Sequence, residues 1–487
     1  MLNLNLSTDM SRPLYLQLYT QIRDQIRSGT LAYESRLPSV RSLQLQFNMS
    51  KTPIETAYQM LVTEGYAISK PRSGLYVRRG FEHERGLAQD PDPGSSPVMP
   101  GDKPAHGSIP PNPAASLRPR DNYLVDFRVS LTDEPSFPVR TWKKMLQTAW
   151  DTSFGRISKY GNPMGEYSFR TVLAAYLRNF RGVVCRPEQI VIGTGIAYSM
   201  GLLAKLFPRD LPIAFEDPGY APVQEPFRHA GFETLPIPVH AAGLSLEHLY
   251  GSEAQAVYVT PSHQYPTGCV MPYAEREQLL HWAASRSAYI IEDDYDSEFR
   301  YHGKPIPSLQ GLDRHARVIY IGTFSKAFTP ALRMNYMVLP SGLLSQLKER
   351  KHVLYAPSSV DQLAMQYFIE QGHWFRHIRR VRSVYRRKHH KLIGLLNETF
   401  GPHITITGHS AGLHIQMTVK TTYTSQDLVK MAANERIRVY DSLEMQSGDP
   451  APGFPQIYIG FGGLSETEIE LGIRHLHKAW GPCWSIQ

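Results

Sequence analysis

The stretch that decides the fold is Gly322-Thr323-Phe324-Ser325-Lys326-Ala327-Phe328-Thr329-Pro330-Ala331-Leu332-Arg333, in which one lysine stands among small and hydroxylated residues. A lysine amine forms a Schiff base with an aldehyde, and pyridoxal phosphate is the cofactor that uses this chemistry. Hydroxyl groups and the guanidinium of Arg333 are groups that can hold a phosphate. The stretch therefore predicts a pyridoxal phosphate site, although small-residue turns with a lysine also occur in proteins without a cofactor.

Around this stretch, residues 122–487 alternate short β-rich runs with amphipathic helical patterns. The apolar runs occupy residues 190–192, 213–215, 256–259, 289–291 and 318–321. Continuous apolar runs are typical of strands that helices cover on both faces, as in a parallel sheet. The zone is therefore predicted to be an α/β domain with a mostly parallel sheet.

Polar residues follow several of these runs, at the sheet edge where ligands of α/β proteins bind. Asp293 ends one run, and a carboxylate there would keep a pyridine nitrogen protonated. Tyr295 points the same way and is placed to contact a phenolic oxygen, while Tyr220 offers a ring for stacking. The turn 193–197 precedes a helical pattern, so its backbone N–H groups would bind phosphate. Each feature alone also has a structural interpretation: a solvated acidic cluster, packed tyrosines or an ordinary turn.

The length and the charge distribution indicate a second kind of domain. A chain of 487 residues exceeds one ordinary core and predicts at least two domains. The net charge is +8, and residues 1–80 hold ten basic side chains against five acidic ones. Such an excess in a short segment permits a polyanionic partner such as DNA.

A winged helix-turn-helix is predicted for residues 1–79. Helical spacing occurs over 15–27 and 38–47, Ser50 can cap a third helix, and two apolar runs flank a basic hairpin tip at 70–74. The third helix would enter a DNA major groove, with the hairpin on backbone or minor groove. The predicted DNA contacts are Arg41, Ser50, Lys51, Thr52, Arg72 and Gly74. A small helical domain that binds protein is the alternative.

Residues 80–121 are rich in proline, glycine, serine and alanine and are predicted to form a semi-stiff linker to the domain at 122–487. Cys185, Cys269 and Cys483 are too few and too far apart to indicate a disulfide framework or a metal site. The sequence has no apolar run of membrane-spanning length and no signal-peptide pattern, so we expect a cytoplasmic protein.

Both zones resemble known families. Residues 36–41 and 57–65 resemble the GntR family of DNA-binding regulators, although Lys51 stands where these proteins usually carry an arginine. Residues 160–165, 260–268 and 322–333 resemble fold-type I aminotransferases, which implies a large and a small subdomain. The combination looks like the MocR family of bacterial transcription regulators. That resemblance implies a homodimer that binds double-stranded DNA with two half-sites.

The resemblance also implies roles for individual residues. Lys326 would form the Schiff base, Asp293 would pair with the pyridine nitrogen, and Tyr295 would contact the phenolic oxygen. Tyr220 would stack on the ring, and His263 would lie near it without a defined role. The phosphate would be held by Gly195, Ile196, Ser325 and Arg333 of the same chain and by Tyr160 of the neighbouring subunit.

Two positions depart from the aminotransferase pattern. Tyr458 occupies the place of an arginine that clamps the α-carboxylate of the substrate, and Tyr265 replaces an asparagine before Pro-Thr-Gly. A phenol cannot make the bidentate charged contact of a guanidinium. The site is therefore expected to bind the cofactor while having lost a principal contact to amino acids.

These features predict a non-catalytic transcription regulator whose effector is pyridoxal phosphate itself and which controls vitamin B6 genes, as in the PdxR branch of the family. One alternative is a regulator that senses an amino acid through the bound cofactor. Another is a working aminotransferase with an appended domain. The basic segment 373–388 could touch DNA, but we interpret it as a scaffold helix whose charges are solvated or paired with carboxylates.

Overall fold

Two compact units make up the chain, Met1–Asn112 and Pro113–Gln487. A computed structural model describes residues 4, 14–32, 34–47, 49–63, 66–70, 73–77, 123–240, 242–301, 307–441 and 453–484. Each unit has an apolar core of its own. Among the described residues, no helix has the length and apolar character needed to cross a membrane. The predicted linker at 80–121 lies outside the described residues, and its boundaries remain a prediction.

The first unit consists of three helices followed by a β-hairpin, the arrangement that the sequence predicts. Its elements are α1 (Leu14–Arg27), α2 (Val40–Phe47), α3 (Lys51–Thr63), β1 (Ala67–Lys70) and β2 (Gly74–Val77). Fully buried side chains at helical spacing join the three helices: Leu18, Ile22, Leu43, Ile54 and Leu61. The hairpin strands pair antiparallel with Lys70 opposite Gly74, which places the predicted basic tip at the turn.

The second unit is built on a sheet that helices cover on both faces. It opens with β3 (Val125–Asp126), α4 (Val139–Ile157) and α5 (Tyr167–Arg181). The strands of the large sheet are β4 (Ile190–Gly193), β5 (Ile213–Asp217), β6 (Thr234–His240), β7 (Gly243–Leu244), β8 (Ala256–Val259), β9 (Tyr289–Asp294), β10 (Val318–Thr323) and β11 (Asn335–Val338). The helices between and after them are α6 (Ile196–Leu206), α7 (Glu225–His229), α8 (Leu246–Gly251), α9 (Tyr273–Arg286), α10 (Leu309–Leu312), α11 (Ser341–Glu349) and α12 (Ser359–Glu370).

The large sheet has the strand order β4-β11-β10-β9-β8-β5-β6-β7. The strands β10, β9, β8, β5 and β6 pair in parallel, whereas β11 is antiparallel to both of its neighbours and β7 to β6. The five apolar runs of the sequence all form strands of this sheet, so the prediction of a mostly parallel α/β domain is confirmed. Because the parallel strands end at one edge, the residues that follow them lie close together.

A smaller lobe completes the second unit. Its elements are α13 (His373–Phe400), β12 (Ile404–Thr407), β13 (His414–Val419), α14 (Ser425–Asn434), β14 (Ile437–Arg438), β15 (Tyr440–Asp441), β16 (Gln456–Gly460) and α15 (Glu466–Trp480). Four of the strands form an antiparallel sheet in the order β12-β13-β16-β15, and β14 pairs with β3. One face of this sheet packs on the helices through buried apolar residues such as Ile415, Ile457 and Ile459. The opposite face is therefore left to approach the large sheet.

The basic helix α13 is tied into its own unit by ion pairs. The pairs are Arg387–Glu466 at 3.3 Å, Lys388–Asp133 at 2.6 Å and Lys391–Glu470 at 2.9 Å. Buried apolar residues on its other side, such as Trp374 and Leu392, join the cores of the unit. This arrangement agrees with the interpretation of the segment as a scaffold helix.

Candidate cofactor site and nucleic-acid interface

Lys326 lies in the turn that joins the neighbouring strands β10 and β11, at the edge where the parallel strands end. Its Nζ donates a hydrogen bond to the carbonyl oxygen of Val129 at 3.1 Å. Burial lowers the pKa of Lys326, and the charge of Asp296 opposes this shift. A lowered pKa leaves more of the amine unprotonated at neutral pH, which is the form that attacks an aldehyde.

Asp293 lies near the end of β9, on the strand next to that of the lysine turn. The hydroxyl of Tyr258 donates to its Oδ2 at 2.6 Å. Burial raises the pKa of Asp293 to about 7, with Asp294 and Asp296 adding to the shift and the Tyr258 hydrogen bond opposing it. A buried carboxyl of this kind is stabilised as the carboxylate when a cation such as a pyridinium lies beside it.

The predicted phosphate-binding residues Gly195 and Ile196 lie where α6 begins, and we refer to this helix start together with Arg333 as the phosphate cradle. The helix starts at Ile196 after Gly195, which has φ +128° and provides no side-chain cap for the first N–H groups. This φ favours glycine, and a Cβ built on Gly195 would lie 2.7 Å from Nη2 of Arg333, so a side chain there would displace this guanidinium. Uncapped N–H groups at a helix start, together with an arginine, bind phosphate strongly. The geometry thus brings together the predicted residues Gly195, Ile196 and Arg333.

Hydrogen bonds hold the two turns of the cradle in place. Asn335 Oδ1 accepts from the backbone N–H of Gly195 at 3.0 Å, and its Nδ2 donates to Ser199 at 2.8 Å. Ser325, beside the lysine, is fixed by Thr323, whose hydroxyl bonds to the Ser325 hydroxyl at 3.0 Å. Thr323 at the end of β10 thus positions the lysine turn, and its strand partner Asn335 at the start of β11 positions the start of α6.

Tyr220 stands at the mouth of the site, with 38% of its surface exposed. Burial raises the pKa of Tyr220, the charge of Asp293 raises it further and the charge of Arg333 lowers it. The tyrosine therefore lies near both of these predicted site residues. Its ring meets that of Tyr265 edge to face, with 5.4 Å between centroids. This position is compatible with the predicted stacking on a ring bound between Asp293 and Arg333.

Tyr295 and His263 belong to one buried network. The Tyr295 hydroxyl donates to the carbonyl oxygen of His263 at 2.8 Å, and Nδ1 of His263 lies 2.8 Å from Oδ2 of Asp296. The His263 ring packs against His414 with 4.6 Å between centroids. Burial lowers the pKa of His414 well below its usual value, so this ring is neutral near pH 7. The contact of Tyr295 with a phenolic oxygen remains a prediction, since its hydroxyl is bonded to the main chain here.

Tyr160 is separated from the other predicted site residues of this chain. Its side chain is fully exposed, in the turn between α4 and α5. The sequence predicts that it reaches the phosphate of a neighbouring subunit, and its exposure leaves it free to do so.

The face of the small sheet opposite its core carries Tyr458. Because Ile457 and Ile459 point into the core, Tyr458 points to the other face, where it pairs with Gln416 across the ladder. His414 lies two residues before Gln416 on the same strand, so this face is the one that meets the His263 ring. Tyr458 is fully buried, with its hydroxyl 3.5 Å from Oε1 of Gln456. A buried phenol thus occupies the position where the aminotransferase pattern has a guanidinium.

Arg128 is a second arginine whose backbone adjoins a contact of the lysine turn. Arg128 precedes Val129, whose carbonyl oxygen accepts from Lys326. Its Nη2 pairs with Asp126 Oδ2 at 3.1 Å, and its Nε donates to the hydroxyl of Tyr440 at 3.3 Å. The charge of Arg128 is therefore matched by a carboxylate within the chain.

Several groups of the site escaped the sequence analysis. Tyr258 and Asn335 act on predicted residues across strand ladders, and Asp296 lies beside both His263 and Lys326. The alternation of β8 could have pointed to Tyr258, since its polar hydroxyl interrupts an apolar run. Asn335 could have been found only from the pairing of β11 with β4.

The third helix of the first unit, α3, is the one predicted to enter the DNA major groove, and its start is exposed to solvent. Ser39 caps α2 by accepting from the N–H of Ser42 at 3.1 Å, and the buried Tyr58 of α3 donates to the Pro38 carbonyl at 2.7 Å. These contacts fix α2 against α3, as a helix-turn-helix requires. The predicted contacts on these helices are all exposed: Arg41, Ser50, Lys51 and Thr52. Lys51 pairs with Glu55 at 3.0 Å, an exposed pair that a phosphate can displace.

The tip of the hairpin formed by β1 and β2 also fits the wing, which is the hairpin of a winged helix-turn-helix that contacts DNA beside the groove helix. Gly74 has φ +110°, and a Cβ there would lie 3.3 Å from Nε of Arg36. The Nζ of Lys70 lies 4.6 Å from the centroid of the Tyr76 ring, which keeps its charge near the tip. Arg72, the remaining predicted contact, lies outside the described residues.

Comparison with known proteins gives matches to both units. Residues 130–446 match the model of class I and II aminotransferases, and residues 14–77 match that of the GntR family of bacterial regulatory proteins. The chain is 31% identical to the probable rhizopine catabolism regulatory protein MocR of Rhizobium meliloti, over 98% of this chain and 95% of the relative. It is 30% identical to the pyridoxine biosynthesis transcriptional regulator PdxR of Corynebacterium glutamicum, over 82% of each.

Solved structures share the fold of the second unit. The α-aminoadipate aminotransferase LysN of Thermus thermophilus, complexed with N-(5'-phosphopyridoxyl)-L-leucine, superposes with a TM-score of 0.67 at 23% identity. The match covers 75% of this chain and 94% of that structure. This likeness establishes the fold-type I aminotransferase fold.

Proposed function

The chain belongs to the MocR family of GntR-type, DNA-binding transcription regulators with an aminotransferase-like domain, and we propose that its effector is pyridoxal phosphate itself. On this proposal the second unit serves as a sensor of cofactor supply, and the regulated genes are those of vitamin B6 metabolism. The PdxR relative, named for pyridoxine biosynthesis, supports this direction.

The observation that carries the proposal is the contrast between the groups around Lys326 and the group at position 458. The cradle of Gly195, Ile196 and Arg333 suits a phosphate, and Asp293 suits a pyridinium. Tyr458 is a buried phenol and cannot clamp a carboxylate as a guanidinium does. A site with this composition binds the cofactor well and amino acids poorly.

Each residue has a role in this proposal. Pyridoxal phosphate, when bound, supplies an aldehyde that an amine can capture. Lys326 provides the amine, and its lowered pKa favours the reactive form. Asp293 holds a proton on the pyridine nitrogen, and Tyr220 covers the ring. The phosphate is held by Arg333, Ser325 and the start of α6.

We further propose that the regulator works as a homodimer. Large apolar side chains are exposed on α4 and in the following turn, including Trp150, Phe154 and Tyr160. A second copy would cover them and bring Tyr160 to the neighbouring phosphate. Two-fold symmetry then predicts two DNA half-sites, and cofactor binding would bias the spacing of the two heads.

A footprint upstream of the neighbouring genes, with and without pyridoxal phosphate, tests the proposal. We expect protection of two half-sites whose pattern changes with the cofactor, and no further change when a panel of amino acids is added. A saturable response of both the absorbance and the footprint to one amino acid would overturn the cofactor-only version.

An amino-acid sensor is the second candidate, and the position of Arg128 favours it. Arg128 directly precedes Val129, the acceptor of Lys326, and its guanidinium could exchange the carboxylate of Asp126 for that of a ligand. If the amino-acid panel gives a response, the variant Arg128→Gln should abolish it while leaving cofactor binding intact. A response that survives in Arg128→Gln would assign carboxylate binding elsewhere.

Catalysis is tested separately. On our proposal the purified protein releases no keto acid above the level of free pyridoxal phosphate under multiple-turnover conditions. Sustained keto-acid production without specific DNA binding would instead identify an aminotransferase with an appended domain.

A further inference from the structure

A second cavity lies on the other side of the β9 end from the Lys326 site. Its volume is about 210 Å³, and it is bounded by α5, α13 and the segments after β8 and β9. Five of its lining residues are arginines: Arg181, Arg276, Arg300, Arg382 and Arg386. Glu298 is the carboxyl-bearing residue of the described lining. The cavity therefore concentrates positive charge in a small concave space.

The two innermost arginines are fixed by the fold. Arg181 pairs with Asp294 at 2.6 Å and donates to the Ser262 hydroxyl at 2.9 Å. Arg276 is fully buried and donates to backbone carbonyl oxygens, among them that of Pro261 at 2.6 Å. Burial lowers the pKa of Arg276, and the carboxyl groups of Glu292 and Asp294 oppose this shift, while its own hydrogen bonds go to neutral carbonyl oxygens.

The two outer arginines, Arg382 and Arg386, have guanidinium N–H groups that can donate hydrogen bonds to a ligand. Arg382 donates from Nε to the carbonyl oxygen of Glu298 at 2.9 Å. Its Cζ lies 5.8 Å from the centroid of the Phe180 ring. Arg386 lies one helical turn further along α13 and is exposed at the mouth. Within the described part of the chain, neither terminal nitrogen of Arg382 nor any nitrogen of Arg386 has an assigned acceptor. These planar donor groups match phosphate and carboxylate oxygens.

The charge balance of the wall favours an anion. Burial raises the pKa of Glu298 to about 7, so its carboxyl is partly protonated near neutral pH. Burial lowers the pKa of Arg300, and repulsion from the neighbouring Arg181 adds to this shift. A bound anion would remove that repulsion.

We propose that this cavity binds a small oxyanion with at least two negative charges, of the phosphate or dicarboxylate class. The small volume and the buried position of Arg181 and Arg276 favour such a ligand over a DNA backbone, which needs guanidinium groups on an open surface. The site is separate from the proposed cofactor site because successive residues of a strand point to opposite faces. Asp293 faces the cofactor side, and Asp294 faces the cavity through Arg181.

Calorimetric titration of the full chain with inorganic phosphate, and separately with malonate, at constant ionic strength tests this proposal. We expect saturable binding of at least one of the two anions. The variant Arg386→Glu should weaken that binding by about tenfold or more, since it replaces a charge-assisted contact with repulsion. Arg379→Glu makes the same change about two turns earlier on the same face of the helix, at an exposed position outside the cavity lining, and should weaken binding much less than Arg386→Glu does.

A second control separates the two anion sites. Arg333→Gln removes the guanidinium of the proposed phosphate cradle, where inorganic phosphate also binds, so the part of the binding that Arg386→Glu weakens should persist unchanged in this variant. The proposal is overturned if neither anion binds saturably, if Arg379→Glu weakens binding as much as Arg386→Glu, or if Arg333→Gln abolishes it. Loss of DNA affinity in Arg386→Glu, with no binding of either anion, would instead identify a DNA contact. Arg382→Gln repeats the test without a charge reversal.

Discussion

The large and the small sheet form opposite walls of the Lys326 site, and they differ in what they offer a ligand. The large sheet contributes the lysine, the carboxyl of Asp293 and the phosphate cradle at Gly195 and Arg333. The small sheet contributes Tyr458 and the neutral His414. One wall therefore suits a phosphorylated pyridine, while the described strands of the other carry a phenol at the position where the aminotransferase pattern has a carboxylate-binding guanidinium.

On our proposal, this difference explains how a fold used by enzymes can serve as a sensor. The proposed contacts to the cofactor and the expected contact to a substrate carboxylate belong to separate walls, so one can be lost without the other. Function follows from the site and not from the fold.

The largest effect is expected for Lys326→Ala. Without the amine, the protein should lose all of the absorbance that pyridoxal phosphate shows when joined to lysine, and with it the cofactor response of the footprint. DNA affinity should stay within about twofold of the wild type, because the first unit has its own core. A footprint that still answers the cofactor would show that the covalent link is dispensable.

Arg333→Gln tests the cradle on the same wall. The change keeps a polar side chain but shortens it and removes its charge, so the affinity for pyridoxal phosphate should fall by roughly 10- to 100-fold, as expected for a charged hydrogen bond to phosphate. Fluorescence titration measures this affinity. The exposed Arg379→Gln, with the same charge change, should bind the cofactor as the wild type does, and equal losses in both variants would contradict the assignment.

Asp293→Asn tests the wall through the pH dependence of stability in the cofactor-free protein. The pKa of Asp293 is raised from 3.8 to about 7 in the folded state, so between these values the folded protein holds a proton that the unfolded chain has released. Its contribution to stability therefore decreases as pH rises from about 4 to about 7. The amide in the variant cannot titrate, so the decline should become shallower by up to about 1.4 kcal/mol per pH unit.

Urea unfolding at several pH values across the interval from about 4 to about 7, between the unfolded and the folded pKa of Asp293, measures that slope. Tyr258→Phe is the control, because it removes the hydrogen-bond donor and keeps the carboxyl. It should retain the decline, and an identical slope in Asp293→Asn and the wild type would contradict the raised pKa.

The smallest effect is expected for Tyr458→Phe on the other wall. On our proposal the Tyr458 hydroxyl makes no contact with the cofactor. Its removal should therefore leave the affinity for pyridoxal phosphate within about twofold of the wild type, a smaller change than the loss of a hydrogen bond would cause. The affinity is measured as for Arg333→Gln. A tenfold loss would show that the small sheet also holds the cofactor and would remove the contrast between the walls.

Much of the large-sheet wall could be predicted from sequence because strand ends and turns carry local signals. Asp293 and Gly195 follow apolar runs, and Lys326 stands in a small-residue turn. Tyr258 and Asn335 could not be predicted in the same way, because their contacts depend on which strands are neighbours. The register of β11 against β4 is a property of the folded sheet.

The arginine cavity was beyond sequence reasoning for a related reason. Its guanidinium groups come from α5, α9, α13 and the segment after β9, which are far apart along the chain. On α13 the arginines are spaced as in any amphipathic helix with a solvated face. Only their burial against the other elements separates Arg382 from its exposed neighbours.

The position of Asn335 has a consequence for how the chain can vary during evolution. This residue pairs with Gly193 on one side and with Thr323 on the other, and its amide bonds to Gly195. An insertion or deletion between Thr323 and Asn335 leaves these paired ends in place and must be absorbed by the loop itself, which would displace Lys326 from Val129. The lysine loop should therefore tolerate changes of residue type at exposed positions better than changes of length.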